Sequence, residues 1–217
     1  MSFGYQVLGF GTSASAGAGA EVIQSANGNG VTIADAQAGD VIFAITGNLV
    51  NNQSMSISGY STRATLTSGV LWGGGAPYYL KASIMYRILD GSESTVPSTG
   101  SDSVPGWVQW RFAKPIQSVA WSDENYQTSG NEVNPISGNY TAYTATSSLI
   151  GCIRLIGQGG YNTGDKARTL SSGEDQNHLQ SSYASIKTVN DFAGGSYSAA
   201  SGQWSAPNFY ASIRCSA

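Results

Sequence analysis

Residues 40–48 read Asp-Val-Ile-Phe-Ala-Ile-Thr-Gly-Asn, an almost unbroken apolar run that follows the turn-forming segment Gln37–Asp40. Short apolar runs bounded by turn residues are typical of strands buried on both faces in the core of a sandwich. Residues 79–89 form a second long candidate strand, in which side chains alternate between two faces and both faces carry some apolar residues. Together the two segments indicate a protein built from β-sheets.

Further segments with strand character recur along the chain, with Gly, Pro and Asn between them. We predict additional strands at Val31–Ile33, Met55–Ile57, Arg63–Thr67, Trp107–Phe112, Val119–Ser122, Ser148–Ile156, Tyr183–Val189 and Phe209–Cys215. No apolar stripe with helical spacing continues beyond two turns, so the pattern favours an all-β fold. The predicted architecture is a single antiparallel β-sandwich, jelly-roll or immunoglobulin-like, with an extended N-terminal arm.

The composition limits the classes of protein to which the chain can belong. Charged residues make up only 11% of 217 residues, whereas hydrophobic residues make up 41% and include 5 Trp, 12 Tyr and 6 Phe. So many aromatic side chains require a buried core, which argues against disorder. The formal net charge of -3 gives no electrostatic reason to expect nucleic acid as a partner. No apolar stretch approaches the roughly 18 residues that a membrane span needs, so we expect no membrane insertion.

The N-terminal region differs from the rest of the chain. We assign residues 1–30 to a strand and tether that precede a sandwich domain at residues 31–217, because Ser13–Ala20 contains only Ser, Ala and Gly and has no side chain worth burying. An apolar strand on a tether can add to a free sheet edge. The candidate contacts with a neighbouring subunit or a capsid are therefore Phe3, Tyr5, Val7, Leu8 and Phe10. The same segment could equally be the first strand of the sandwich.

Few residues have the chemistry of a catalytic or metal site. His178 is the only histidine, and the segment Gly173–His178 has the polar composition of an exposed loop. The acidic residues of Asp123-Glu124, Asp165 and Glu174-Asp175 also fall in loop-like contexts. Two such loops could supply oxygen ligands to Ca²⁺, although no EF-hand spacing is present. A calcium site therefore stays an open alternative. We predict that the protein is not an enzyme and has no catalytic residue, cofactor or dedicated metal site.

Cys152 and Cys215 lie in two of the predicted strands. If these strands are neighbours, a disulfide between the two cysteines is one alternative. The alternative is a pair of small, semi-buried thiols, which synthesis in a reducing cytoplasm favours.

Aromatic residues of the predicted strand Trp107–Phe112 fall on both of its faces. Trp107 and Gln109 share one face, and Trp110 and Phe112 share the other. Only one face can pack in a two-layered core, so we expect the other to meet something other than water. Trp107 and Trp110 are thus candidate exposed contacts, either for a sugar ring or for another subunit.

Three motifs resemble those of a β-sandwich domain found in structural and fibre proteins of tailed bacteriophages. They are the turn Ala38-Gly39-Asp40 before the apolar strand, the segment Gly59–Ala64 with Tyr60 where the family has Trp, and Met85–Glu93, in which Tyr-Arg ends a strand and Asp-Gly-Ser-Glu follows. The resemblance covers roughly residues 31–217 in the expected order. Because its motifs concern turns and core strands, it implies a fold and carries no chemistry.

The resemblance implies a non-enzymatic virion protein. The specific role that we predict is that of a capsid decoration or cement protein, which stabilises the head by bridging capsomers. Its partners would be the major capsid protein and further copies of itself, with a trimer suggested by analogy with capsid symmetry. The alternative is a tail fibre or tail-tip module that recognises a host surface glycan. The N-terminus lacks the basic region and long apolar core of a signal peptide, so we expect a protein made in the host cytoplasm and carried in the virion.

Overall fold

The computed structural model describes residues 19–27, 31–48, 56–70, 79–96, 106–127, 135–159, 168–170, 176–179, 184–199 and 208–217. These residues form antiparallel β-sheets packed on one another, with no helix among them, which confirms the predicted all-β fold. Two five-stranded sheets form the sandwich, and two smaller sheets lie outside them.

The order of strands within each sheet differs from their order along the chain. The first sheet contains, from edge to edge, β1 (Glu21–Asn27), β7 (Gly106–Arg111), β3 (Val41–Asn48), β5 (Tyr79–Ile88) and β4 (Ser61–Val70). The second contains β12 (Gln176–Leu179), β13 (Ala184–Asn190), β10 (Leu149–Gly159), β15 (Asn208–Ser216) and β8 (Ser118–Gln127). A third sheet is formed by β11 (Arg168–Leu170), β14 (Gly195–Ala199) and β9 (Ile136–Tyr140). β2 (Val31–Thr32) and β6 (Thr95–Val96) form a two-stranded ribbon.

The main hydrophobic core lies between the two five-stranded sheets. Val41, Phe43 and Ile45 of β3 are fully buried and belong to one cluster with Ile153 of β10 and Ile213 of β15. Burial of apolar surface is worth about 25 cal/mol per Å², so the packing of this layer stabilises the fold.

The outer faces of both large sheets are covered as well. The alternate β3 residues Ile42 and Ala44 pack with Trp107 in a second cluster, to which the ribbon contributes Val96. On the far side of the second sheet, a third cluster joins side chains of that sheet to tyrosines of the third sheet; its members include Ile156, Tyr210, Tyr140 and Tyr197. Residues 40–48 therefore form an apolar run because both faces of β3 are buried.

Residues 21–27 correct the predicted domain boundary. They form β1, which pairs with β7 at the edge of the first sheet, and Ala20 and Val22 pack against the main core. The boundary at residue 30 is too late, because it separates an edge strand from its own sheet. The sequence Glu-Val-Ile-Gln-Ser-Ala-Asn is too polar to identify this strand by pattern alone.

Several short strands have no clear pattern in the sequence, and one predicted strand is wrong. The unpredicted strands β6, β9, β11, β12 and β14 are short, and all but β12, which pairs with the next strand β13, pair with neighbours that are distant in sequence. The predicted strand at residues 55–57 falls partly outside the described residues, and Ile57 lies in a turn region before β4. Ile57 packs in the second cluster and is buried there. A hydrophobic residue at this position is therefore explained by burial and does not indicate a strand.

Candidate functional site

The three resemblance motifs meet at one corner of the sandwich. Gly39 donates its N–H to the carbonyl of Leu89 at 2.8 Å, which ties the first motif to the third. Gly59, from the second motif, has φ +80 and lies against Arg87, where a Cβ would come within 2.8 Å of Nη1. Arg87 pairs with Glu93 at 2.6 Å. The three segments thus build a corner of the first sheet.

Asp40 organises the buried part of this corner. Its carboxylate is 2% exposed and accepts hydrogen bonds from the N–H of Gln37 at 3.0 Å, from Gln109 Nε2 at 2.7 Å and from Arg111 Nε at 2.9 Å. Arg111 also binds Asp35 at 2.8 Å, and these contacts hold the pKa of the Asp35 carboxyl below its usual value. The charges at this corner pair with one another, with Asp40 buried and Asp35 at the surface.

The structure corrects the prediction that Trp107 or Trp110 is exposed. Trp107 is completely buried in the second cluster, and Trp110 is 5% exposed in the main core, where its Nε1 donates to Thr188 Oγ1 at 3.0 Å. The two faces of β7 do diverge as predicted. Both are buried because a further layer covers the outer face of the first sheet.

Cys152 and Cys215 are both free and buried. They lie on the neighbouring strands β10 and β15, but Cys215 is opposite Gly151 in the register and faces the main core, whereas Cys152 is opposite Arg214. Successive side chains of a strand point to opposite faces, so the two thiols lie on opposite sides of the sheet and cannot bridge. Burial raises the pKa of the Cys152 thiol to about 11.

The loop assignments of His178 and Asp123-Glu124 are wrong. His178 lies in β12 at an edge of the second sheet. Asp165 and residues 173–175, which include Glu174-Asp175, fall outside the described residues. Asp123 and Glu124 lie within β8 at an irregularity in its pairing with β15. The described residues contain no group of three or more His, Cys, Asp or Glu positioned to hold a metal ion.

A buried arginine joins the second and third sheets. Arg154 is completely buried, and it donates to the carbonyls of Asp191 (3.0 Å), Thr141 (2.8 Å) and Ala193 (3.1 Å) and to Ser212 Oγ (2.5 Å). A buried charge is tolerated only where hydrogen bonds replace its hydration. These contacts therefore fix the segments that lead to and from the third sheet.

The side chains around Arg154 could suggest a catalytic serine. Ser212 Oγ donates to Asp123 Oδ2 at 3.0 Å and lies 3.1 Å from the hydroxyl of Tyr210. However, Ser212 is completely buried, and the guanidinium lies over the ring of Tyr140 at 4.4 Å from its centroid. A substrate has no access to this hydroxyl, so the cluster acts as an internal support.

Asp123 marks a β-bulge. It has φ +51, whereas the other positive-φ residues of the described chain are glycines. Asp123 and Glu124 together oppose Ala211, since Ser122 pairs with Ser212 and Asn125 with Tyr210. The extra residue shifts the alternation of β8, so that Trp121 and Tyr126 both face the first sheet.

The side of the sandwich that carries the edge strands β4 and β8 is called the open side. Arg63 of β4 and Glu124 of β8 form a two-pronged ion pair across it, with Nε to Oε1 at 2.6 Å. Trp121 packs edge-on to Phe43 at 6.2 Å between ring centroids. Tyr126 is 54% exposed although its ring stacks on Phe209. This side of the sandwich is the candidate functional site.

Sequence reasoning missed both aromatic residues of this surface. An unbroken strand would place Trp121 and Tyr126 on opposite faces, because their numbers differ in parity. Only the bulge brings them together, and nothing in the sequence Ser-Asp-Glu-Asn requires one. The predicted contact residues Phe3, Tyr5, Val7, Leu8 and Phe10 lie outside the described residues.

Comparison with known proteins gives no matching family model, curated protein or solved structure. Within the described part of the chain, no helix is long and apolar enough to cross a membrane.

Proposed function

We propose that this chain is a non-enzymatic structural protein of a phage virion, most specifically a decoration or cement protein that bridges capsomers and stabilises the head. Its partners are the major capsid protein and further copies of itself. The observation that carries the proposal is the open side. Trp121 and Tyr126 of β8 face inward there, and β8 is an edge strand with only one neighbour among the described strands.

The distribution of charge supports an attachment role. The described ion pairs of Arg87, Arg111 and Arg154 lie in turns and between layers, where they hold the fold together. A low density of charge allows many copies to pack side by side without strong repulsion. A stable contact for each copy needs about 1,200–2,000 Å² of buried surface in total. The N-terminal segment Phe3–Phe10 is the proposed source of part of this area.

The alternative, a tail module that recognises a host glycan, has less support. Its named contacts were Trp107 and Trp110, and both are buried. Tyr126 is the one exposed large hydrophobic residue among those described, and a single ring is a small platform for a sugar.

Fractionation of virions tests the proposal. Heads and tails are separated, and peptides of this chain are quantified by mass spectrometry against markers for the capsid shell and the tail tube. We expect the chain in heads, in many copies per particle. Recovery in a few copies with tails would favour the glycan-binding alternative, and absence from both fractions would overturn the virion assignment.

A further inference from the structure

The second sheet is incompletely covered at β8. Tyr126 is opposite Phe209 in the register and Trp121 is opposite Ile213, and both partners belong to the main core. Residues directly opposite each other share a face, so Trp121 and Tyr126 point inward. Tyr126 is nevertheless 54% exposed, and the buried Nε1 of Trp121 has no hydrogen-bond partner among the described residues. Arg63 lies over the ring of Trp121 at 5.9 Å from its centroid, so the sheet that ends at β8 leaves Trp121 partly covered and Tyr126 largely exposed.

The edge of β8 divides into two parts. From the bulge onward, the edge is blunted by Asp123 and by the ion pair of Glu124 with Arg63, devices that oppose pairing with another strand. Residues 118–122 pair regularly with β15, and no other described strand is hydrogen-bonded to their free edge. This part contains no charged residue. It can therefore accept one further strand.

The chain itself supplies a segment of suitable length and position. The described chain begins at Gly19, where a Cβ would lie 2.8 Å from Ala113 Cβ. Only residues 114–117 separate Ala113 from Ser118, so the Cα atoms of these two residues lie within about 18 Å of each other. A stretch as long as residues 11–18 spans at most about 26–29 Å, which exceeds this distance. They therefore allow Phe3–Phe10 to reach the start of β8 in the same molecule.

We infer that Phe3–Phe10 adds as an antiparallel strand to the free edge of residues 118–122 of its own chain. With the tether near Ser118, the segment runs against the direction of β8, so the new pair is antiparallel like the other pairs of this sheet. The register that places Phe3, Tyr5 and Val7 inward covers Trp121, and Gln6 then faces outward. The added strand completes the core on the open side and protects the edge from unwanted pairing.

This inference deepens the proposed function, since the same segment is the proposed shell contact. It concerns the free protein, and attachment to a shell would require the segment to leave β8. Failure of the inference would therefore leave the fractionation result unaffected.

Hydrogen–deuterium exchange tests the inference in the full chain. Amides of residues 118–122 that point away from β15 are expected to exchange at least tenfold more slowly in the full chain than in a variant that lacks residues 1–18. Unchanged exchange in β3 and β15 verifies that the truncated variant is folded. A synthetic peptide of residues 2–11 should restore the slow exchange, whereas the same peptide with Val7→Lys should not.

Two substitutions in the full chain provide a matched pair. Val7→Lys places a charge on the inward face and should release the protection of residues 118–122, whereas Gln6→Lys, on the outward face, should keep it. Equal exchange in the full and truncated chains would overturn the inference. Protection that increases with protein concentration and appears together with dimers in sedimentation would also overturn it, because the strand would then come from a second copy.

Discussion

Gly39 carries the tightest backbone approach at the corner of the first sheet. It has φ +88, and a Cβ there would lie 2.3 Å from Pro115 Cα and 2.6 Å from Ile116 N. Left-handed backbone costs an L-residue about 1–2 kcal/mol, and displacing backbone atoms adds about 1–3 kcal/mol. The glycine of the Ala-Gly-Asp turn is thus required by sterics as well as by conformation.

We expect Gly39→Ala to lower the free energy of unfolding by roughly 2–5 kcal/mol. Gly91→Ala is the control, because Gly91 also has positive φ but its nearest contact would be 3.1 Å away, so it should cost only about 1–2 kcal/mol. Urea denaturation of both variants measures the difference. Equal losses would show that the contact with Pro115 relaxes freely.

The carboxyl groups of Asp35 and Asp90 link stability to acid pH. Hydrogen bonds from Arg111 to Asp35 and from Ser92 to Asp90 lower both pKa values in the folded state. This stabilisation is present above the unfolded pKa of about 3.9 and is lost as the pH falls through the folded pKa values.

The free energy of unfolding should therefore decrease as the pH falls from about 5 toward 2. In the double variant Asp35→Asn and Asp90→Asn the decrease should be shallower, because two linked groups are removed. Urea midpoints measured across this pH range provide the test. Identical slopes in the variant and the parent protein would contradict the assignment.

The two thiols should be unreactive in the folded protein. Burial raises the pKa of Cys152 to about 11 and raises that of Cys215 as well, so the reactive thiolate is scarce near neutral pH. We expect alkylation by iodoacetamide at pH 8 to be at least about 100-fold slower in the native state than in urea. Mass spectrometry follows the labelling. Rapid native labelling, or a disulfide formed under mild oxidation, would contradict the register of β10 and β15.

At the scale of elements, Arg154 determines how the third sheet is attached. Four hydrogen bonds connect its guanidinium to the second sheet and to the segments that flank the third. Removal of the charge leaves the buried carbonyl of Asp191 and the partly buried carbonyls of Thr141 and Ala193 without these donors, and an unsatisfied buried group costs about 1–3 kcal/mol.

Arg154→Met should destabilise the protein by roughly 3–5 kcal/mol. Arg214→Met, on β15, is the matched control: this half-buried arginine contacts the ring of Tyr143 at 5.5 Å, and we expect a loss below about 1 kcal/mol. Calorimetry gives both values. If Arg154→Met melts like the parent protein, the third sheet is held by its tyrosine cluster alone.

The open and closed sides of the sandwich differ in their edge strands. β1 and β12 lie in contact on the closed side, where the two large sheets meet. β4 and β8 are bridged by Arg63 and Glu124 on the open side. The pairing of both edge strands is irregular, in β4 as well as in β8. Irregularities of this kind hinder an edge strand from pairing with a strand of another molecule.

At the scale of the whole molecule, the position of β1 determines which truncations the fold tolerates. Deletion of residues 1–18 leaves every described strand in place, so it should leave a cooperatively folded sandwich that lacks only the strand inferred to cover β8. Deletion of residues 1–30 also removes β1, with Ala20 and Val22 from the core, and should cost roughly 2–4 kcal/mol more. Parallel thermal melts compare the two. Equal stability would restore the boundary at residue 30.

The all-β class and the main strands follow from the amino-acid sequence without further information. Apolar runs such as residues 40–48 favour strands, because they are short, rich in β-branched and aromatic residues, and bounded by turn residues. The corner motifs around Gly39 and Asp40 are also local, since a turn depends on neighbouring residues. These features can be predicted because backbone sterics and side-chain alternation act over a few residues.

Which faces of the sheets are covered depends on the tertiary fold. Trp107 and Trp110 are on opposite faces of β7, as predicted, but the additional layer that buries Trp107 comes from strands far away in the sequence. Likewise, the bulge at Asp123 turns Trp121 and Tyr126 to the same face and creates the open side. Burial and strand register depend on long-range pairing, and no local pattern of residues specifies them.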